Sequence, residues 1–139
     1  MKEFCSRVAV GCLSLASAML LGCGSNEPFD FVPVTGKVVY EDGSPLTGGQ
    51  LQFVSLAPAV GANYPRPAAA HLKSDGTFDA VTSHKYGDGL VPGKHKVAIL
   101  NGRNADGKPL VPQEYTSSAT TPLVIDTADA PLVIIVPRP

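Results

Sequence analysis

The chain has 139 residues, 44% of them hydrophobic, and its 11 Lys and Arg against 12 Asp and Glu give a net charge of −1. This length suits one domain, and the lack of a basic excess argues against a nucleic-acid partner. Its 14 glycines and 13 prolines are many, but the hydrophobic fraction argues against disorder and favours a β protein with many turns.

The N-terminal segment has the pattern of a secretory signal. Lys2 and Arg7 flank its start, and Val8–Leu21 is an almost unbroken run of small and apolar residues. At about 1.5 Å per helical residue, this run is too short for a bilayer core of about 30 Å. Its length suits the apolar region of a signal peptide.

All three cysteines lie in the first 23 residues, so the rest of the chain can hold no disulfide framework or cysteine-based metal site. Leu20-Leu-Gly-Cys23 resembles the bacterial lipobox. The resemblance implies that residues 1–22 are a lipoprotein signal peptide and that Cys23 is lipidated, as with palmitate, and becomes the new N-terminus. Two or more acyl chains hold a protein stably on a membrane. The alternatives are ordinary secretion and an uncleaved membrane anchor. The residue after the cysteine is Gly24 and not an aspartate, which favours the outer membrane over the inner membrane.

The mature chain divides into a spacer and a domain. Residues 23–33 are predicted to be the lipidated cysteine and a spacer, with a first edge strand as the alternative for Phe29–Phe31. Residues 34–137 are predicted to form the domain, because apolar and polar residues alternate along them. The pattern predicts seven strands, at residues 34–41, 50–56, 68–73, 77–82, 94–100, 123–126 and 132–136.

The connections refine this prediction. Ser74-Asp-Gly76 predicts a hairpin between the third and fourth strands, and the strand Leu132–Val136 is apolar on both faces, which predicts a central position in a sheet. Residues 101–122 exceed the usual loop length and are therefore functional or partly structured. About seven short strands separated by turn signals predict an all-β, seven-stranded antiparallel Greek-key sandwich.

Several segments, taken in order, resemble the carboxypeptidase-regulatory-like domains, which are transthyretin-like sandwiches. They are Val34-Thr-Gly-Lys-Val-Val-Tyr-Glu-Asp-Gly-Ser-Pro-Leu46, Gln50-Leu-Gln-Phe53, Ser74-Asp-Gly-Thr-Phe78, Gly89-Leu-Val-Pro-Gly-Lys-His-Lys-Val97, and a tail from Val111 to Leu123. The tail is similar to that of short bacterial lipoproteins with one such domain. The resemblance implies a structural or interaction module without known chemistry. It also implies that Gly36 lies where strands pack closely and that Asp42-Gly43 and Asp75-Gly76 form tight turns.

The histidines are the first candidates for chemistry. His95 alternates with Val97 and Ile99, which predicts a buried packing residue bonded to backbone near the start of a strand. His84, Asp88 and His95 could together hold a metal, but no pair of them has a usual ligand spacing.

No catalytic residue emerges from the sequence. No serine lies in a Gly-x-Ser-x-Gly elbow, and the thiol of Cys23 is expected to be lipidated. The chain ends in Pro137-Arg-Pro139, unlike the Tyr-Arg-Gly-Ser tail of transthyretin-like hydrolases. The sequence therefore predicts no enzyme activity, no cofactor and no metal.

The expected function is that of a membrane-tethered, non-catalytic β-sandwich with a binding or structural role at the cell envelope, facing the periplasm or the exterior. Its expected partners are the membrane, through lipid on Cys23, and an envelope protein or glycan. Loops 57–67 and 101–122 are the candidate binding surfaces, although they could instead only cover sheet edges. Their candidate residues are Asn63, Tyr64, Arg66, Arg103 and Tyr115.

Two other functions remain open. A carbohydrate-binding module predicts two exposed aromatic rings in a flat patch. A small metal-dependent enzyme predicts histidine side chains that converge on one point.

Overall fold

The computed structural model describes residues 27–139, so Cys23 and the predicted signal peptide lie outside the described residues. The described chain is a two-sheet all-β structure, and the predicted β-sandwich and number of strands are confirmed. The strands are β1 (Gly36–Tyr40), β2 (Gln50–Ser55), β3 (Ala68–His71), β4 (Thr77–Phe78), β5 (Lys94–Leu100), β6 (Val124–Asp126) and β7 (Leu132–Val136). Two short 3-10 helices, η1 (Gln113–Thr116) and η2 (Thr127–Asp129), complete it.

The strands form a three-stranded sheet in the order β4-β1-β7 and a four-stranded sheet in the order β3-β2-β5-β6. Every pair of neighbours is antiparallel except β1 and β7, which run parallel from Gly36↔Leu132 to Tyr40↔Val136. The prediction of a wholly antiparallel sandwich is therefore wrong for this pair. The long excursion of the chain between β1 and β7 allows them to run in the same direction, which a tight turn could not.

The core lies between the inner faces of the two sheets. Alternation holds where it was predicted, since Val38 and Tyr40 of β1 and Leu51 and Phe53 of β2 are buried. The rings of Phe53 and Phe78, which come from different sheets, have centroids 6.0 Å apart at a tilt of 51°. Such tilted aromatic pairs stabilise packing beyond the area that they bury, so this contact joins the two layers at the centre of the core.

The predicted hairpin around Ser74–Gly76 is confirmed in part. Ala69 and Thr82 form an antiparallel bridge and the N–H of Lys73 donates to the carbonyl of Thr77 at 2.9 Å, but β3 belongs to the four-stranded sheet and β4 to the three-stranded sheet. The turn itself exists. Gly76 has a φ of +80° and its N–H donates to the carbonyl of Lys73 at 2.9 Å. The carboxylate of Asp75 accepts hydrogen bonds from the backbone N–H and the hydroxyl of Thr77. The turn therefore carries the chain from one sheet to the other.

The predicted central position of Leu132–Val136 is also wrong, because β7 is an edge strand of the smaller sheet. Leu132, Ile134 and Val136 point into the core, whereas Val133 is 58% exposed and Ile135 is 56% exposed. A strand that is apolar on both faces usually lies inside a sheet. Here only one of the two faces is covered by the other residues that the structure describes.

Residues 101–122 are partly structured. Val111 and Thr121 are buried, and the hydroxyl of Thr121 donates to the carbonyl of Val97 at 2.7 Å. The hydroxyl of Tyr40 donates to the carbonyl of Leu110 at 2.8 Å. These bonds fix the segment against β5 and β1.

Two glycines make close approaches possible. A Cβ on Gly36 would lie 2.8 Å from the ring of Phe78 and 2.9 Å from Cβ of Leu132, so the strands could not approach as they do. Gly89, with a φ of +100°, lies against the carbonyl of Val32, and the N–H groups of Leu90 and Val32 each donate to the other residue's carbonyl. Val32 is therefore attached to the sandwich. No helix within residues 27–139 has the length and apolar character needed to cross a bilayer.

Candidate functional site

The two loops proposed from the sequence start at opposite ends of the four-stranded sheet. Loop 57–67 follows Ser55, which pairs with His95, whereas residues 101–122 follow Leu100, which pairs with Gln50. Six paired residues at about 3.3 Å each separate these ends. The structure therefore does not bring the starts of the two candidate loops together.

The candidate residues of loop 57–67 are exposed. The N–H and C=O of Asn63 exchange hydrogen bonds with Val60 at 3.0 and 2.9 Å, which closes the loop tip. Tyr64 is 78% exposed, and Nε of Arg66 lies 3.2 Å from a carboxylate oxygen of Glu27. The Arg66 side chain thus holds the segment before the first strand, and the Tyr64 ring is open to solvent.

The other two candidate binding residues, Arg103 and Tyr115, stabilise the segment 101–122 to which they belong. Nη1 of Arg103 donates to the carbonyl of Gly107 at 2.7 Å and closes the turn that contains it. Tyr115 is half-buried and packs against the core. These contacts agree with the alternative role considered above, in which residues 101–122 cover the sheet.

The prediction for His95 is confirmed, because its side chain is only 2% exposed and its Nδ1 lies 3.2 Å from the carbonyl of Gly93. His84 is exposed in a turn in which both carboxylate oxygens of Asp88 are bonded to backbone N–H groups. His95 therefore lies in the core while Asp88 organises a surface turn. Among residues 27–139, no three His, Cys, Asp or Glu side chains form a group that could hold a metal ion.

Burial lowers the pKa of His95, because the interior disfavours the imidazolium, although the carbonyl of Gly93 and the charge of Asp126 oppose this effect. An unfolded histidine titrates near pH 6.5. Below about pH 6.5 the unfolded chain therefore takes up a proton that the folded chain does not, and the free energy of unfolding falls as the pH falls toward the lower folded pKa. We expect His95→Gln to reduce this loss of stability.

Urea unfolding at pH 7.5 and pH 5.0, followed by circular dichroism, checks this expectation. His71→Gln is the matched control, because His71 is exposed at the end of β3. The control should keep the pH dependence of the wild type. An equal pH dependence in the His95→Gln protein would contradict the assignment.

A groove that the sequence did not predict lies where the chain crosses between the sheets. It consists of two adjoining clefts, of about 450 Å³ and about 330 Å³, that share Lys73 and Asp79. We call them together the crossover groove. The remaining lining residues are Thr35, Gly36, Lys37, Thr77, Phe78, Pro131, Leu132 and Val133 in the larger cleft and Ala69, Ala70, His71, Leu72, Ala80, Thr82 and Tyr86 in the smaller one.

An ion pair divides the two clefts. Nζ of Lys73 lies 2.7 Å from a carboxylate oxygen of Asp79, and both side chains are more than half exposed. The hydrogen bond to Asp79 raises the pKa of Lys73 by favouring its ammonium form. An ion pair this exposed contributes little to stability. Both groups can therefore turn to a ligand at small cost to the fold.

Tyr86 forms one wall of the smaller cleft, and its side chain is 88% exposed. Its loop is held by Asp88, whose carboxylate accepts the N–H groups of Ser83, His84 and Lys85 at 2.8 to 3.0 Å. Burial works to raise the pKa of Asp88, but these hydrogen bonds outweigh it and the pKa is lowered. The N–H of Gly87 donates to Oγ1 of Thr82 at 3.0 Å. The exposed ring thus projects from a backbone that hydrogen bonds hold in place.

The smaller cleft also contains an unusual backbone conformation. Ala80 has a φ of +47°, a left-handed conformation that is uncommon for a residue other than glycine. The hydroxyl of Thr82 donates to the carbonyl of Ala80 at 2.9 Å, and Thr82 is paired through its backbone with Ala69. Strained residues of this kind are found most often at sites that bind or react. The small side chains of Ala69 and Ala80 also leave the space that forms the cleft.

The chemistry of the groove suits a ligand with an apolar face and polar edges. The smaller cleft offers an aromatic ring, small apolar side chains and one charge of each sign, and His71 adds a ring nitrogen. The sequence did not predict the groove because its residues come from four strands, β1, β3, β4 and β7, and from the loops between them, including the 83–89 loop. A tyrosine beside Asp88-Gly89 in a polar loop was the only local signal.

Comparison of the chain with protein-family models, with curated protein sequences and with solved structures gave no match.

Proposed function

We propose that the protein is a lipid-anchored, non-catalytic domain of the carboxypeptidase-regulatory-like, transthyretin-like class that binds a component of the cell envelope. In this proposal the lipid on Cys23 holds the domain at the membrane surface, with the outer membrane favoured. The crossover groove is the surface that binds, and no cofactor takes part. The resemblance of Leu20-Leu-Gly-Cys23 to a lipobox supports the anchor.

The proposed binding role rests on Tyr86, whose exposed ring projects from an ordered loop. An exposed aromatic side chain on a mobile loop loses conformational entropy when it binds, whereas a ring on an ordered loop loses less. The Asp88 carboxylate fixes the loop through three backbone N–H groups, so Tyr86 is ready to stack against a ligand. Aromatic side chains in such positions contribute much of the free energy of binding at interfaces.

The second candidate function is recognition of an envelope glycan by the same groove. One observation favours it: the Tyr86 ring lies beside the paired charges of Lys73 and Asp79. A sugar ring has an apolar face that can stack on an aromatic side chain and hydroxyl groups that can bond to the ion pair. A carbohydrate-binding module is expected to have two exposed aromatic rings in a flat patch. The groove has one such ring, because the exposed Tyr64 of loop 57–67 lines neither cleft.

Photo-crosslinking in intact cells tests the binding role. We expect a photoreactive phenylalanine analogue at position 86 to capture a discrete envelope component, identified by mass spectrometry. The matched control places the same analogue at position 64, where the native tyrosine is also exposed but lies outside the groove. Capture should be lost when Lys73 and Asp79 are both changed to alanine. Equal capture from positions 64 and 86, or none from 86, would contradict the proposal.

Binding to isolated cell-wall glycan separates the two candidates. If the ligand is a glycan, Tyr86→Ala should weaken binding about tenfold, which corresponds to about 1.4 kcal/mol, and Tyr64→Ala should leave it unchanged. A captured protein together with no glycan binding by the wild type would support the envelope-protein partner instead.

A further inference from the structure

β7, whose Leu132 and Val133 also line the larger cleft of the crossover groove, has an open edge. β7 is hydrogen-bonded to β1 on one side, and no other strand or isolated bridge within residues 27–139 pairs with its second side. Unpaired edges template pairing with other chains, and natural proteins protect them with charges, prolines or covering segments. None of the five residues of β7, Leu-Val-Ile-Ile-Val, is charged.

The register shows which backbone groups are free. The N–H of Leu132 donates to the carbonyl of Thr35 at 2.9 Å, so Leu132 directs its backbone toward β1. Backbone groups alternate sides along a strand, and Ile134 and Val136 therefore also point toward β1. Val133 and Ile135 direct their N–H and C=O groups toward the open edge. Each could bond to an added strand.

The flanking prolines make this edge symmetric about Ile134. Pro131 and Pro137 direct their backbone toward the same open edge as Val133 and Ile135. Because proline has no N–H, these two positions offer no donor to an added strand. The segment Pro-Leu-Val-Ile-Ile-Val-Pro thus has the same order of proline, inward apolar and outward apolar residues when it is read from either end. We propose that β7 pairs antiparallel with β7 of a second copy of this chain, about a two-fold axis at Ile134.

This pairing satisfies the free N–H and C=O groups of Val133 and Ile135 in both copies. Val133 of each copy lies opposite Ile135 of the other, and each such pair exchanges two hydrogen bonds, which gives four in all. Pro131 lies opposite Pro137 of the second copy, so the two residues without an N–H meet each other. The result is a continuous six-stranded sheet with the order β4-β1-β7-β7-β1-β4.

The side chains and charges also favour a second copy in this orientation. Val133 and Ile135 are more than half exposed on the outer face, and pairing places them beside the same residues of the other copy in one apolar row. Asp129 precedes the strand and Arg138 follows it, where Arg138 already lies 3.0 Å from a carboxylate oxygen of Asp42 with its side chain 59% exposed. Antiparallel pairing brings the start of one strand to the end of the other, so these opposite charges approach, whereas parallel pairing would bring like charges together.

The first test measures self-association of the full protein, extracted from membranes in non-ionic detergent, by sedimentation velocity over a range of concentrations. We expect a dimer whose dissociation constant rises at least tenfold in Val133→Lys. Val124→Lys is the matched control, because Val124 is also an exposed valine, 52% exposed, on the edge strand of the other sheet. The control should dimerise like the wild type. A protein that stays monomeric at all concentrations, or a dimer affected equally by both variants, would overturn the proposal.

The second test measures the register in isolated membranes before any detergent is added, which also covers the case in which Val133→Lys does not fold. A protein carrying both Val133→Cys and Ile135→Cys has a cysteine opposite each introduced cysteine in the proposed pairing. Mild oxidation should convert most of it to a covalent dimer. Each single variant lacks an opposite partner and should crosslink several-fold less. Equal crosslinking of the single and double variants, or none in any of them, would exclude this pairing.

Discussion

Replacement of Cys23 by serine is expected to release the protein from the membrane. Serine has nearly the shape of cysteine but lacks the thiol that forms the thioether to the lipid. Each buried methylene of an acyl chain contributes about 0.8 kcal/mol to membrane binding, so loss of the acyl chains removes nearly all of the affinity. Fractionation of cells, with detection by antibody, should show the wild type in the membrane fraction and Cys23→Ser in the soluble fraction.

Cys12→Ser is the matched control for this experiment. Cys12 lies inside the apolar run of the predicted signal peptide, where the mature protein would no longer contain it. This variant should fractionate like the wild type. Unchanged membrane association of the mature, cleaved Cys23→Ser protein would contradict the lipid anchor.

Truncation of Phe53 (Phe53→Ala) is expected to cause the largest loss of stability among single substitutions in the core. Phe53 is completely buried and joins the two sheets through its contact with Phe78. Removing a buried phenylalanine ring costs about 3 to 5 kcal/mol through lost burial and the cavity that remains. Since small domains are stable by only about 5 to 15 kcal/mol, the melting temperature should fall by about 10 °C or more.

Thermal unfolding followed by circular dichroism measures this effect. Tyr64→Ala removes an aromatic ring of similar size that is 78% exposed, and we expect it to change the free energy of unfolding by about 0.5 kcal/mol or less. Similar melting temperatures for the two variants would contradict the placement of Phe53 at the centre of the core.

The faces of the strands could be read from the sequence because they depend on local alternation. The pattern at Val38 and Tyr40, at Leu51 and Phe53, and at His95 correctly identified the buried side of each strand. A residue's side of a strand follows from its neighbours one and two positions away. The length of residues 101–122 likewise pointed to partial structure, which the structure confirms.

The strands that pair with each other in the sheets could not be predicted from local sequence in the same way. The turn at Ser74–Gly76 is a hairpin turn, as its residues indicate, yet β3 before it and β4 after it belong to different sheets. Leu132–Val136 has the composition of a central strand but lies at an edge. Pairing partners depend on packing across the whole chain, and the parallel pairing of β7 with β1 joins residues nearly 100 positions apart. Local composition carries no information about such a partner.

The crossover groove was missed for the same reason. Tyr86, Ala69 and Lys73 are unremarkable in the sequence, and only the crossing between the sheets brings their side chains to one cleft. The rigidity of the Tyr86 loop depends on Asp88, which the sequence indicated as a turn residue and as one of three residues that could together hold a metal. The residues that were proposed from loop length, such as Arg103 and Tyr115, instead make contacts within their own segment or with the core.

Mass spectrometry of the N-terminal peptide of the protein purified from membranes tests most directly whether lipid on one cysteine holds the β-sandwich at the envelope. We predict a peptide that begins at Cys23 and carries a diacylglyceryl group, with or without a third acyl chain. A peptide that begins at any other residue, or one that begins at an unmodified Cys23, would contradict this prediction.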